Sequence, residues 1–235
     1  MTAPVVTTSD VTRKLVVRTA IFLALLGLLL FVSAGTFRWP QAWIYLGLNA
    51  TAGLGTGLML ARHDPALLNE RMGPIIQRRQ KGWDKLLLSV FFVLYLLWLV
   101  LMAFDAKRFH WSDVPVWLQV VGAVLICVTF YVMWLVTREN SFAAPVVKVQ
   151  KERGHKVVST GPYALVRHPM YGGIIPLFIG TPLLLGSWWG LLFAVVLLLL
   201  LAVRAVLEER TLMAELDGYA DYAARVRYRL IPRLW

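Results

Sequence analysis

The sequence predicts an all-α integral membrane protein with about six transmembrane helices, the last two forming a helical hairpin. Three observations predict this. The chain of 235 residues is 59% hydrophobic and only 16% charged, against about 45–50% and about 25% in soluble domains. Its apolar residues are gathered in long uncharged runs. Its basic residues alternate between the gaps that separate those runs. The mean hydropathy of +0.66 and the aromatic content exclude a disordered chain.

The spans follow in order. Thr19–Phe37, Trp39–Ala61, Leu86–Phe104 and Val114–Thr137 each lack Asp, Glu, Lys and Arg throughout, and each matches the roughly 20 residues that cross a bilayer. Pro169–Val203 is longer than one crossing. Gly186-Ser187-Trp188-Trp189-Gly190 in its middle supplies turn glycines and interface tryptophans. It reads as a tight hairpin whose first helix is short and interrupted by Pro176 and Pro182. Arg13 and Lys14 ahead of the first run resemble a secretory signal, but the apolar core exceeds the usual 7–15 residues, so the run is expected to stay as a helix.

Placing the basic residues orients the chain. The amino-terminal tail, the second loop, the fourth loop and the carboxy-terminal segment hold 21 of the 24 Lys and Arg, and the opposite side holds 3. The positive-inside rule then puts both termini and both long loops in the cytoplasm. This asymmetry accounts for the net charge of +11 and makes nucleic-acid binding unnecessary. The lone Cys127 can form neither an internal disulfide nor a thiolate metal site. His63 has no partner at ligand spacing, so no metal site is expected. No repeat of 20–50 residues occurs. The expected organisation is one integral domain over 1–235, with four spans and their loops in 1–137 and a functional core in 138–235.

Two motifs invite a bland reading. Gly53-Leu54-Gly55-Thr56-Gly57 resembles a nucleotide loop but lies inside a span, where Asn49, Gly53 and Gly57 recur on one helix face and favour close helix packing. The second loop, from His63 to Lys85, mixes basic residues with Leu67, Leu68, Met72, Ile75 and Ile76 and reads as an amphipathic surface segment, a solvated anchor.

The fourth loop is different. Gln150, the turn Lys151-Glu152-Arg153-Gly154-His155, Lys156-Val157-Val158, Gly161-Pro162-Tyr163 and Arg167-His168-Pro169-Met170-Tyr171 follow one another directly before a span. Irregular backbone there is tolerated only where protein or water covers it, and Pro169 pushes His168 towards an extended conformation. Such a dense polar set points to a ligand. On the last helix Arg204 and Glu208 are one turn apart on one face, while Glu209 points about 100° away; a simple snorkelling pair is the plain alternative. Tyr219, Tyr222, Arg225, Arg227, Tyr228 and Arg229 form a basic, aromatic segment suited to a membrane surface.

Gly161-Pro162-Tyr163, Arg167-His168-Pro169-Met170-Tyr171, a hydrophobic hairpin and Glu208-Glu209 together resemble the isoprenylcysteine carboxyl methyltransferase family, within a wider group that includes phospholipid and thiol methyltransferases. The resemblance covers roughly Asn140 to Pro232. It implies a cytosolic S-adenosylmethionine (SAM) site contacted by Gln150, His155, Lys156, Val157, Val158, Tyr163, Arg167, His168, Tyr171 and Glu208, with S-adenosylhomocysteine (SAH) as the product. It implies Arg204 and Glu209 as catalytic candidates, and Arg204 and Arg225 as contacts to a hydrophobic or lipid-attached methyl acceptor. Lys81-Gly82-Trp83-Asp84 is similar to bacterial members, which implies a bacterial inner membrane. Isoprenylcysteine-like carboxylate methylation is the expected reaction. Amine or thiol methylation, an NADPH-dependent sterol-type reductase, a transporter and a non-enzymatic membrane protein are the alternatives.

Overall fold

The structure is a computed structural model and describes residues 8–235. It is helical throughout, with no strand among the described residues. The helices are α1 (Thr8–Ala34), α2 (Pro40–His63), α3 (Pro65–Arg71), α4 (Gly82–Ala103), α5 (Val116–Glu139), α6 (Pro169–Leu185), α7 (Trp188–Glu215) and α8 (Tyr219–Arg225). Five are long and apolar enough to cross a membrane, and α6 is a shorter apolar helix of 17 residues. At 1.5 Å per residue α6 spans about 25 Å, the lower limit for a crossing. Only 22–28% of each long span's most apolar stretch is buried inside the protein. Leu25, Leu28, Trp117, Val124, Leu192 and Leu199 face outward, an apolar surface suited to lipid.

Local chemistry sets the boundaries. Pro40 and Pro65 open α2 and α3 at the position where a missing N–H costs nothing. The Asp64 carboxylate accepts from Leu67 N at 2.9 Å and caps α3. Gly186, at φ 89°, ends α6 in the left-handed region, and Ser187 Oγ caps α7 by accepting from Gly190 N at 2.8 Å. The hairpin therefore turns where the sequence placed it. Its second arm is longer than the uncharged run, because α7 continues past Val203 to Glu215 and carries Arg204, Glu208 and Glu209 with it.

The closest helix pair is α5 with α6. A Cβ added at Gly122 would sit 2.5 Å from Gly180 O and from Leu184 N, and one at Gly173 would sit 2.6 Å from Val132 Cγ1. Small residues here let two backbones touch. The glycine face of α2 serves a similar but looser contact, with Gly57 against Leu15 and Gly53 facing Thr19. Beneath these lies the core of Trp39, Tyr45, Trp98, Met102, Phe178 and Leu197.

Beyond Ala103 the α4 helix widens into a π-turn, Phe104–Arg108. Buried Asp105 there accepts from Ser112 Oγ at 2.7 Å and from Ser187 Oγ at 2.5 Å. The α6–α7 turn is thereby tied to the end of α4.

The second loop is not a solvated anchor. Leu67 and Leu68 are buried against Val11, Leu15, Leu60 and Ala61, and Gln77, Gln80 and Asp84 are buried as well. Leu67 and Leu68 point inward onto α1 and α2 while Ile75 and Ile76 stay exposed, and the fourth loop is bonded to the segment: Lys81 N donates to Val147 O at 3.2 Å, and Lys148 pairs with Glu70 at 2.6 Å.

Candidate active site

The fourth loop, the start of α6, the end of α7 and α8 enclose a cleft. Phe142, His155, Val157, Val158, Tyr163, His168, Tyr171, Glu208, Tyr219 and Tyr222 are among its lining residues. It is narrow, about 80 Å³ at its centre. Two short 3-10 turns, Lys151–Arg153 and Gly161–Ala164, shape its wall. Gly154 and Gly161 lie at φ 63° and 57°, which a side chain would strain.

His155 stacks on Phe142 with ring centroids 4.4 Å apart. Its Nδ1 accepts from Gln150 N at 3.3 Å, which leaves the proton of the neutral ring on Nε2. Burial first, then the Arg153 charge, hold its pKa below the ordinary value, while Glu208 pulls the other way. Burial pushes the Tyr163 and Tyr219 phenols well above their ordinary range, so both stay neutral. Tyr163 Oη accepts from Asn140 Nδ2 at 2.8 Å. Tyr222 donates to Tyr163 O at 2.8 Å, and burial raises its pKa to about 12. Among the described lining residues the buried Tyr219 Oη makes no hydrogen bond, while His168 Nε2 is turned to Glu209 Oε2, 3.5 Å away.

Below the cleft lies an ionic chain. Arg204 donates through Nε to Asp84 Oδ1 at 2.7 Å, through Nη1 to Tyr171 Oη at 2.6 Å and through Nη2 to Pro145 O at 3.0 Å. Tyr171 in turn donates to Glu208 Oε2. The other oxygen of Asp84 accepts from Gln80 Nε2 at 2.9 Å and Val147 N at 2.8 Å. Arg204 thus has no direct bond to Glu208. Its charge is met by Asp84 from α4, and Tyr171 links the two.

Glu209 faces away from the cleft. It accepts from Arg167 Nε at 3.0 Å and from Arg229 Nε at 3.1 Å, with His168 Nε2 3.5 Å distant. Arg167 also donates to the carbonyls of Val226 and Arg227, and the backbone N–H groups of Arg167 and His168 donate to Tyr228 O and Arg229 O at 2.9 and 2.8 Å. The segment after α8 is thereby strapped across the Arg167-His168-Pro169 corner.

Of the ten expected cofactor contacts, nine line the cleft, and Gln150 stands behind its wall. Gln150 is buried, accepts from Arg153 Nη1 and donates to Phe142 O, so it supports the His155–Phe142 stack. Arg204 and Glu209 lie outside the lining, and Arg225 is exposed on α8. Asp84 was not singled out by sequence reasoning. It stands 120 residues from Arg204, and only its place after Trp83 at the start of a span could have flagged it.

Residues 117–220 match the phospholipid methyltransferase (PEMT) family. The match takes in α5, ahead of the Asn140 start read from the motifs, and ends within α8. Protein-S-isoprenylcysteine O-methyltransferase B of Arabidopsis thaliana is 30% identical over 127 residues, 52% of this chain and 61% of that one. The Saccharomyces cerevisiae protein-S-isoprenylcysteine O-methyltransferase is 33% identical over 126 residues, 52% of each chain. That of Schizosaccharomyces pombe is 36% identical over 83 residues, 34% of this chain and 35% of its own. The chain spans about half the length of the curated relatives it matches. All three are isoprenylcysteine methyltransferases by name, in keeping with the resemblance carried by the Arg167-His168-Pro169-Met170-Tyr171 and Glu208-Glu209 motifs.

Proposed function

We propose that the chain is a SAM-dependent membrane methyltransferase acting on a lipid-attached acceptor, with an isoprenylcysteine-like carboxylate as the preferred class. The observation that carries this reading is the cleft itself. It combines an aromatic stack, an acidic side chain and an unpaired buried hydroxyl, and it is formed by the residues that carry the family signature. That donor set suits SAM. Phe142 and His155 offer flat faces to an adenine, Val157 and Val158 offer apolar contact, and Glu208 offers negative charge to a cationic sulfonium or ammonium group. Tyr219 Oη would gain the partner it lacks.

SAM supplies an electrophilic methyl group when bound. A carboxylate acceptor is already nucleophilic, so the protein's task is to align two reactants and keep water out. Glu209, held by two arginines, serves better as the clasp of the carboxy-terminal strap than as a base. Arg204, with its donors committed to Asp84, Tyr171 and Pro145, positions the Tyr171 hydroxyl against Glu208. The basic-residue asymmetry supports a multi-pass protein of 1–235 with the cleft and both termini on the cytoplasmic side.

Calorimetric titration of SAM and SAH into the detergent-purified chain tests the reading. Saturable binding that is lost in Glu208→Ala and weakened in His168→Ala is expected. A folded wild-type protein that binds neither molecule refutes it, and NADPH binding in their place would favour a reductase.

A further inference from the structure

Between α1, α2 and α5 lies a groove of about 580 Å³ that shares no lining residue with the cleft. α1 and α5 each pack on α2, and α2 supplies the floor with Ala52, Gly53, Thr56 and Gly57. A Cβ built at Gly53 meets only Thr19 Cγ2, at 3.8 Å, so this small-residue face leaves space that larger side chains would fill. Phe22 on the α1 wall is 50% exposed and Gly53 is exposed too, so the groove opens sideways to the bilayer. Along the α5 wall, from Phe130 to Thr137, it runs about 10 Å.

One end of the groove is cationic. Arg18 and Arg71 both line it there, beside Met72 and Gly73. Arg18 Nη1 donates to Met72 O, which sets its guanidinium next to the residue that follows Arg71. Arg71 spends Nη1 on Ala143 O at 2.9 Å, with Met170 Sδ 3.9 Å away, and its other nitrogens meet no acceptor among the described residues. No carboxylate pairs with either arginine among those residues. Glu70, the neighbour of Arg71, is held by Lys148 at 2.6 Å, and Asp64 accepts from Leu67 N and lies 3.8 Å from Arg153. Burial lowers the Arg71 pKa from the ordinary arginine value, as expected of a desolvated cation. Arg18 also stands where the uncharged run of α1 begins, the depth at which lipid headgroups meet a span.

We propose that this groove holds an anionic phospholipid of the surrounding leaflet, its phosphate on Arg18 and Arg71 and one acyl chain along the small-residue floor of α2. Two guanidiniums without a counter-ion repel each other, and a phosphate between them removes that repulsion while accepting paired N–H bonds. Leu15, Phe22, Leu60, Phe130 and Met133 give the hydrocarbon an apolar bed below it. The charge at the end selects an anion, and the sideways opening selects one that arrives from the bilayer. The lipid is a bound component rather than a methyl acceptor, because nothing seated here lies in the cleft. The proposal goes beyond the methyltransferase reading and stands without it.

The test is equilibrium binding of acyl-labelled dioleoyl phosphatidylglycerol to the full, detergent-purified chain, in competition with unlabelled phosphatidylglycerol, phosphatidylcholine and inorganic phosphate. Neither lipid carries a free amine, thiol or carboxylate to methylate, so the result does not depend on the chemistry of the cleft. Phosphatidylglycerol is expected to outcompete phosphatidylcholine by roughly twentyfold, about fivefold for each arginine. Arg18→Gln is expected to cut that preference about fivefold, and Arg18→Gln with Arg71→Gln to erase it. Gly53→Leu, which fills the floor, is expected to weaken both lipids alike. Equal affinity for the two lipids in wild type, or an undiminished preference in Arg18→Gln, overturns the proposal. So does displacement of the label by inorganic phosphate as readily as by phosphatidylglycerol, which would leave an anion site with no place for a chain. Should the double variant fail to fold, Arg18→Gln decides, since Arg18 is exposed and lies outside the cleft.

Discussion

Replacing Asp84 by alanine should be the most damaging single change outside the cleft. Asp84 is fully buried and accepts three N–H bonds, from Arg204 Nε at 2.7 Å, Val147 N at 2.8 Å and Gln80 Nε2 at 2.9 Å. Its loss leaves the Arg204 guanidinium buried without a counter-ion. Removing one partner of such a pair costs about 3–5 kcal/mol, and the stranded Val147 N–H adds to this. The assay is a double-variant cycle with Arg204→Met, following unfolding by denaturant in detergent and SAM affinity in parallel. The two losses should be strongly sub-additive, with a coupling of about 2 kcal/mol or more, because the second substitution removes the charge that the first one stranded. Cofactor affinity should fall too, since Val147 and Pro145 hold the cleft floor through this chain. Strict additivity in the cycle, or an Asp84→Ala variant as stable as wild type, would refute the reasoning.

Further outcomes follow from the same geometry. Glu209→Gln should loosen the carboxy-terminal strap by roughly 2–3 kcal/mol, below the range of a fully buried pair because the Arg229 side chain is 32% exposed; faster limited proteolysis after residue 225 reads this out. His155 has a pKa held below its ordinary 6.5, so its stabilising share is complete above that value and is lost as pH falls through the lower native value. Melting temperatures taken between about pH 7 and 5 should drop in wild type and stay flatter in His155→Phe. An identical acid limb in both counts against the assignment. Gly122→Ala forces a Cβ onto the α6 backbone and should cost about 1–3 kcal/mol. Gly55→Ala meets nothing within 4 Å and should be neutral or gain up to about 1 kcal/mol.

What could be read from the chain and what could not divide along physical lines. Spans and the hairpin turn are properties of contiguous residues, so the uncharged runs and Gly186-Ser187 marked them directly. The cleft residues were legible because most of them sit in one short, irregular loop. Asp84 and the Arg167–Glu209–Arg229 clasp join segments 20 to 120 residues apart, and no local pattern announces such a pairing. The second loop misled for a related reason. Its basic and aliphatic mixture suits a membrane surface equally well, and only packing against α1 and α2, with a bond to Asp84, decides that Leu67, Leu68 and Gln80 point inward. The glycines of α2 drew notice by their spacing, whereas the tighter contact sets Gly122 of α5 against Gly180 of α6, glycines brought together from two different helices.

The last turns of α7 work as a dial with three marks. Arg204 and Glu208 share one bearing, and Glu209 stands about 100° round from them, so one carboxylate looks into the cleft while its neighbour fastens the strap. A single residue inserted between Ser187 and Arg204 would turn the dial by that same 100° and bring Glu208 towards the bearing Glu209 now holds. Seven inserted residues would nearly restore the phase, short by about 20°, but would lift the marks about 10 Å along the axis. The number of residues in this arm is therefore held as tightly as the identity of the acids it carries, while lipid-facing positions such as Leu192, Val195 and Leu199 are free to exchange one apolar side chain for another.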